Sequence, residues 1–345
     1  MRLLDRVARC SAPFALALDH HPAPFQVTAP SRYAGCVADC PLRFVLGDDL
    51  TRACAELAFA DGARLAGCLD LLRVPARHLW IEWNDEVHKR VIYETQSASD
   101  YDAASSGRRV GVLLEGSTDG YRAVMRTFWA DSADDETEVT LSPLETHVDL
   151  RGEFLGASDI SGVLAGSFAR VDQPGDAAMN CLLDHVRFRF DDAWAAYYQA
   201  AAADSRTQSG LVHASLAAVA RDTPLVLAFL LLLSAKDATR SIPVSRAVIN
   251  RKRQIHGRPP LLDHIEVRAS LDAVQAPDAG AAEAAGRQSP RLHHVRGHLV
   301  RREDRVFWRV PHLRGSAARG MVRSRTVCLS IAQPRAFEWS GAGRA

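Results

Sequence analysis

The sequence predicts an α+β fold, in which strands and helices are segregated along the chain. Apolar runs with strand-like alternation occupy residues 78–83, 109–115 and 121–130. A block of helical composition follows, and a second strand-rich region closes the chain. The predicted parts are an acidic mixed α/β sheet domain (residues 1–190), a helical connector (191–262), a small basic β-rich domain (263–333) and a tail (334–345).

The N-terminal domain is predicted to combine helices with a mixed sheet. Asp48 and Asp49 are suitable N-caps for a helix that runs to about residue 59. The strands at residues 109–115 and 121–130 are separated by the turn sequence Ser-Thr-Asp-Gly, which is typical of a hairpin. Further strands are predicted at residues 137–141 and 146–154.

The connector contains the most apolar run of the chain, PLVLAFLLLLSA at residues 224–235. Its length is about twelve residues, whereas a membrane span needs about twenty. We therefore predict a buried core helix and no membrane partner. Two helices precede it, at residues 192–203 and 210–220, and a basic, proline-stopped turn follows at residues 250–260.

The basic C-terminal domain is predicted to be a small β-structure. A strand at residues 264–271 precedes a stretch rich in Ala, Gly, Pro and Asp (272–290), which predicts a flexible insertion. Residues 292–301 and 306–312 predict two strands joined through Glu303 and Asp304. A third strand is predicted at residues 321–331.

The formal net charge of +1 conceals a strong asymmetry. Residues 236–345 hold 21 Lys and Arg against 9 Asp and Glu, a balance of +12, while residues 1–235 carry −11. Such a basic region indicates either an anionic partner or charge pairing with the acidic part of the chain. Both interpretations stay open from the sequence.

The seven cysteines predict a reduced, cytoplasmic protein, because their number is odd and their spacing shows no disulfide framework. Cys36 and Cys40 form a CxxxC motif without a second pair or a nearby histidine, so we interpret them as small buried hydrophobes. The first ten residues lack the apolar core of a signal peptide. The sequence assigns neither a cofactor nor a metal.

Residues 291–315, RLHHVRGHLVRREDRVFWRVPHLRG, are the part of the chain richest in chemically capable side chains. They contain four of the thirteen histidines, a tryptophan and two Arg-Gly pairs. Arginine binds phosphate in a bidentate manner, histidine adds a donor, and an aromatic ring can stack on a base. The predicted nucleic-acid or phosphate-binding residues are His294, Arg296, His298, Trp308, His312 and Arg314.

Other interpretations of these side chains remain open. A catalytic role in phosphodiester cleavage would use His298, His312 and Arg314, because that reaction needs a histidine pair and a cation around one phosphate. His294, His298 and His312 match catalytic zinc in ligand number. Solvated side chains, or side chains paired with acids of the N-terminal domain, would need no ligand at all.

Trp80, Glu82 and Trp83 form a second cluster on one predicted strand. Strand alternation places Trp80 and Glu82 on one face, and Ile81 and Trp83 on the other. Two buried tryptophans in a sheet are the simpler interpretation, and base stacking or ligand clamping is the alternative.

Three motifs together resemble an uncharacterised family of phage and prophage proteins. They are the WIEW strand (residues 80–83), a basic segment that ends in Pro-Pro-Leu (250–261), and HxVRGH (293–298) followed by WxxPHxRG (308–315). Together they comprise 30 of the 345 residues. The resemblance implies an intracellular, phage-linked setting in a host cell and a variable insertion before Arg291, and it carries over no activity.

Three functions are therefore compatible with the sequence. The first is a phage-derived accessory protein that binds DNA or RNA through its basic domain. The second is an enzyme that cleaves phosphodiesters with the His/Arg cluster. The third is a structural or protein-interaction role, with a host or phage protein as the partner.

Overall fold

An eight-stranded mixed sheet forms the body of the protein in this computed structural model. The structure describes residues 2–11, 14–16, 18, 21–60, 62–96, 107–130, 139–154, 180–201, 205–236, 238–270, 291–295, 298–302, 305–309, 312–314 and 316–321. The chain divides into two units. The first comprises Met1–Ser270 and Leu299–Arg309, and the second comprises Leu271–His298 and Val310–Ala345.

The described chain contains both helices and strands. The helices are α1 (Leu3–Val7), α2 (Ala34–Asp39), α3 (Asp48–Ala60), α4 (Gly62–Ala66), α5 (Asp85–Gln96), α6 (Asp192–Ala201), α7 (Ser205–Val219), α8 (Asp222–Ser234) and α9 (Ala247–Ile255). The strands of the first unit are β1 (Phe14–Leu16), β2 (Phe25–Val27), β3 (Leu42–Leu46), β4 (His78–Asn84), β5 (Arg109–Gly116), β6 (Arg122–Ala130), β7 (Thr140–Asp149), β8 (Val186–Phe190), β9 (Thr239–Val244) and β10 (His264–Ala269). The strands that follow are β11 (Arg291–Val295), β12 (His298–Arg302), β13 (Arg305–Arg309), β14 (His312–Arg314) and β15 (Ser316–Met321).

The large sheet has the strand order β8-β7-β6-β5-β4-β3-β10-β9. Its centre is parallel, because β3 pairs in the same direction with both β4 and β10. The remaining neighbours are antiparallel, including the predicted β5–β6 hairpin. The predicted α+β class is confirmed.

One face of this sheet is covered by α3, α5 and α8 and holds the main core. Ile81 and Trp83 of β4 point into it, and Phe44 of β3 packs edge-on against Phe229 of α8 at 5.4 Å between ring centroids. A helix that is apolar all round must be buried, and the residues of α8 from Asp222 to Leu232 are buried. The stretch Ser209–Ser234 is long and apolar enough for a membrane span, but 82% of its most apolar window is buried inside the fold. The predicted core helix is confirmed.

The opposite face carries a smaller core beneath α1 and α2. Trp80 packs there against Phe128 at 5.6 Å between ring centroids. The alternation predicted for β4 is therefore confirmed. Both indole side chains of the WIEW motif are fully buried, at 0% exposure, so they offer no surface on which a base could stack.

Several elements were not predicted, and two of them, α5 and β9, are informative. Helix α5 lies where the sequence suggested strands, and its buried positions Asp85, His88, Val91 and Ile92 follow the helical period although two of them are polar. Strand β9 was missed because it is an edge strand whose side chains are largely exposed. The two strands predicted at 137–141 and 146–154 are a single strand, β7.

The predicted domain boundaries differ from the observed ones. Residues 191–262 do not form a separate connector, because the apolar residues of α7 and α8 belong to the main core and β9 completes the large sheet. β10, predicted as part of the basic domain, also lies in that sheet. Its parallel pairing with β3 is a contact between distant segments, which local patterns do not reveal.

The predicted C-terminal strands are present in shorter pieces. β12 pairs with β13, and Phe307 of β13 bridges to Lys236 within the first unit. In the second unit, β14, β11 and β15 form a three-stranded sheet in that order. β15 was not predicted, and the strand predicted at residues 321–331 lies outside the described residues except for Met321. The predicted insertion (272–290) and tail (334–345) also lie outside them.

Candidate functional site

The residues predicted to bind nucleic acid lie on short C-terminal strands. His294 is in β11, His298 begins β12, Trp308 is in β13, and His312 and Arg314 are in β14. Arg296 lies outside the described residues.

The antiparallel register of β11 and β14 sets the backbone partners of these residues. It pairs His293 with Arg314, His294 with Leu313, and Val295 with His312. A histidine and an arginine therefore stand opposite each other at one position of the ladder, although the histidine is His293 rather than His294. The predicted cluster around Trp308 stays a prediction.

Some C-terminal cations serve the fold. Arg301 of β12 binds the carboxylate of Asp70 with two hydrogen bonds, of 2.9 and 3.0 Å. These hydrogen bonds raise the pKa of Arg301. The pair is an instance of the charge pairing between acidic and basic parts that the sequence left open.

A second group of cations has no such partner among the residues that the structure describes. Between residues 239 and 262 the chain holds six Lys and Arg and no Asp or Glu. They are Arg240, Arg246, Arg251, Lys252, Arg253 and Arg258, and none of them forms an ion pair within the described part of the chain. We call these six residues and His256 the basic surface.

The backbone that carries the basic surface is held in a defined conformation. Asn250 of α9 exchanges two hydrogen bonds with the main chain of Leu261, at 2.8 and 2.7 Å. Arg253 Nε donates to the carbonyl oxygen of Pro259 at 2.8 Å. Gly257 ends the helix with a φ of +63°, a left-handed conformation that a side chain would disfavour. Hydrogen bonds thus fix the turn after α9 against the helix.

The exposed side of α9 has apolar residues at both ends and cations between them. Val248 is 72% exposed and Ile255 is 80% exposed, and they lie two turns apart on the same helical face. Arg251 and Lys252 lie between them and are also exposed. α9 contains no buried residue, so packing within the described structure does not explain this combination.

A different set of polar residues is buried where α5 and α8 begin. Asp85, His88 and Asp222 are 4%, 1% and 6% exposed. His88 Nδ1 lies 3.8 Å from Asp85 Oδ1 and 3.6 Å from Asp222 Oδ1. Lys89 Nζ contacts the other oxygen of Asp85 at 3.1 Å, and Arg108 Nε lies 3.6 Å from the same oxygen.

The two carboxyl groups of this cluster have opposite pKa shifts. Burial raises the pKa of Asp222 well above its usual range, and the nearby charge of Asp85 adds to the effect. Burial also acts to raise the pKa of Asp85, but His88, Lys89 and Arg108 outweigh it and lower that pKa. The negative charge of Asp85 is therefore well compensated by nearby positive groups, whereas that of Asp222 is poorly compensated.

An open cleft near the N-terminus is a weaker candidate. Its volume is about 530 Å³, and Thr28, Arg32 and Ala193 are among its lining residues. That lining contains no carboxylate and no histidine. It does not provide the groups that acid–base or metal chemistry requires.

Comparison of the chain with family models, with curated proteins and with solved structures finds no match. The resemblance to a phage protein family therefore stays a prediction.

The sequence analysis noted the basic segment at residues 250–260 but assigned it no function, and it missed the buried cluster. The signal for the first was present, since 24 consecutive residues (239–262) contain six cations and no acid. No comparable signal exists for the second, because Asp222 lies far along the chain from Asp85 and His88.

Proposed function

We propose that the protein is a phage-derived accessory protein that binds nucleic acid through the basic surface on α9, its following turn and β9. The observation that carries this proposal is that six cations lie together without an acidic partner among the described residues. Cations that neutralise phosphates supply most of the affinity for DNA and RNA.

The shape of the surface supports a polymeric anion rather than a small one. The cations are spread over a strand, a helix and the turn that follows the helix. Phosphate contacts of this kind position a protein along a backbone. Val248 and Ile255 add exposed apolar contacts at the two ends of α9, which suit the sugars and bases beside the phosphates.

The six residues predicted from the stretch 291–315, which we call the C-terminal set, are proposed as a second contact for the same ligand. They are His294, Arg296, His298, Trp308, His312 and Arg314. This part of the proposal rests on residue types and not on side-chain geometry. The two surfaces are separable by mutation, because they lie in different segments of the chain.

The test is fluorescence anisotropy with labelled single- and double-stranded DNA and RNA at salt concentrations from about 50 to 200 mM, the range over which phosphate-dependent binding weakens steeply. For double-stranded DNA each phosphate contact contributes about 0.9 to the slope of log K against log salt. The variant Arg251→Ala/Lys252→Ala should therefore reduce the slope by about 1.8 if both side chains contact phosphate.

The matched control is Arg52→Ala/Arg90→Ala, which removes the same charge from exposed helical positions. Those arginines already contact acids, Arg52 with Glu56 at 3.9 Å and Glu94 at 3.5 Å, and Arg90 with Glu86 at 2.9 Å. We expect its salt slope to equal that of the wild type. If both variants lost the same affinity and salt slope, the effect would be explained by net charge alone. No binding of the wild-type protein at low salt would refute the proposal.

A third variant, Arg296→Ala/Arg314→Ala, tests the C-terminal set separately. A reduced slope of log K against log salt in this variant would show that the C-terminal set contacts phosphate. An unchanged slope would confine binding to the basic surface. Stable capture of a folded protein partner without any nucleic-acid affinity would favour the protein-interaction role instead.

A further inference from the structure

The buried cluster of Asp85, His88 and Asp222 leaves polar groups unsatisfied. Asp222 accepts no hydrogen bond from any residue that the structure describes, and its contact with His88 is 3.6 Å long. Thr223 Oγ1, on the residue that follows Asp222, is also buried without a hydrogen-bond partner among the described residues. Buried polar groups are almost always paired, so a buried carboxylate and the adjacent buried hydroxyl group, neither of them hydrogen-bonded, indicate a missing ligand.

The distances within the cluster suit a metal ion better than direct hydrogen bonds. Separations of 3.6 and 3.8 Å between His88 Nδ1 and the two carboxylate oxygens are too long for hydrogen bonds. Two ligands that each lie about 2.1 Å from a tetrahedral zinc ion are about 3.4 Å apart. The ligand atoms of all three residues lie within 4.8 Å of one another, so small side-chain movements would close them around one ion.

The cations beside Asp85 leave one of its carboxylate oxygens available to bind a metal ion. Lys89 and Arg108 both contact Oδ2 of Asp85, while Oδ1 faces His88. This resembles the outer-shell contacts that orient a metal-binding carboxylate. Neither cation forms an ion pair with Asp222 among the described residues, although the positive charges of Arg108 and Lys89 act to lower its pKa. Its close partner is His88, at 3.6 Å.

We propose that Asp85, His88 and Asp222 bind one divalent transition-metal ion, which ties the start of α5 to the start of α8. One imidazole nitrogen and two carboxylate oxygens form a donor set that suits zinc better than magnesium or calcium, which prefer oxygen alone. A water molecule would fill the fourth position of a tetrahedral ion. This site lies in the core of the first unit and is independent of the proposed nucleic-acid surface.

The experiment is metal analysis of the full-length protein. Chelator-treated protein is titrated with zinc, and bound metal is measured by mass spectrometry alongside the thermal unfolding midpoint. We expect one zinc ion per chain and a higher Tm in the zinc-loaded form, because a ligand that binds only the native state stabilises it. Asp222→Asn should lose both stoichiometric zinc and the zinc-dependent rise in Tm.

The matched control is His264→Gln on β10. His264 is also buried, and its Nε2 also lacks a hydrogen-bond partner, but it does not belong to the cluster. This variant should keep zinc binding. Cobalt provides a measurement on the wild-type chain alone, since a protein-bound cobalt ion with such ligands should give visible absorption that zinc displaces.

The alternative to a metal is a proton on Asp222. In that case wild-type protein would bind no zinc, cobalt would produce no absorption, and zinc would leave Tm unchanged. Asp222→Asn would then be as stable as the wild type or more stable, because the amide imitates the neutral acid. That combination would overturn the proposal.

Discussion

Glu82 should be one of the most sensitive positions of the fold, because a fully buried carboxylate there satisfies four donors. Its side chain is 0% exposed. It accepts hydrogen bonds from the backbone N–H groups of Leu3 and Leu4 at 3.2 and 3.0 Å, and from Trp80 Nε1 at 3.3 Å. Arg109 Nε is the fourth donor. Glu82 thus anchors the N-terminus of α1 to the sheet.

The variant Glu82→Gln keeps the shape of the side chain but removes its charge and turns one acceptor into a donor. Removing one partner of a buried ion pair typically costs about 3–5 kcal/mol, and each buried donor left unpaired costs about 1–3 kcal/mol, although these values are not additive. We expect the free energy of unfolding to fall by about 4 kcal/mol. A typical domain has only about 5–15 kcal/mol in total.

Urea unfolding followed by tryptophan fluorescence measures this change, since Trp80 and Trp83 are both fully buried. The control is Glu86→Gln on α5, which breaks a 2.9 Å pair with Arg90 between side chains that are 37% and 50% exposed. Such a pair contributes about 0.3–0.5 kcal/mol. If the two variants lose similar amounts of stability, the anchoring role assigned to Glu82 is wrong.

Two further predictions concern the sheet. Gly111→Ala should destabilise the protein by about 3 kcal/mol or more in the same assay, because the added Cβ would lie 2.2 Å from the ring of Trp80; near-wild-type stability would contradict this packing. The His147 hydrogen bond and then Arg126 lower the pKa of Glu145 to about 2. Its contribution is therefore present above the unfolded pKa of about 4.5 and lost as the pH falls towards 2. Glu145→Gln should flatten acid unfolding over that window, and an unchanged profile would refute the assignment.

The parts of the fold that sequence patterns predicted are those in which apolar side chains alone mark the buried face. The alternation of β4 placed Trp80 opposite Ile81 and Trp83 in the sheet, and the uniform apolarity of α8 marked a core helix. The pattern failed for α5, where Asp85 and His88 occupy buried positions that apolar residues normally fill. Where polar residues occupy buried positions, the periodicity of apolar residues no longer predicts the element.

The candidate sites were harder to predict for two different reasons. The buried cluster joins Asp222 to residues more than a hundred positions earlier, so no local sequence spacing predicts it. The basic surface was visible in the sequence, but the charge of the whole C-terminal region hid it, and the histidine-rich stretch at residues 291–315 attracted the functional hypothesis. A search for windows free of acids would have located it.

Net charge alone does not separate cations that stabilise the fold from cations that are available to a partner. Arg301 and Arg268 both belong to the basic C-terminal region, yet Arg301 binds Asp70 and Arg268 contacts Glu266 at 3.3 Å. Arg251 and Lys252 are as basic, but they face solvent on a helix that buries nothing. Exposed cations repel one another and weaken the isolated fold, so a cluster of them without acids is better explained by an anionic ligand than by stability. The ion pairing of each cation, rather than the total charge, therefore directs the proposal to α9.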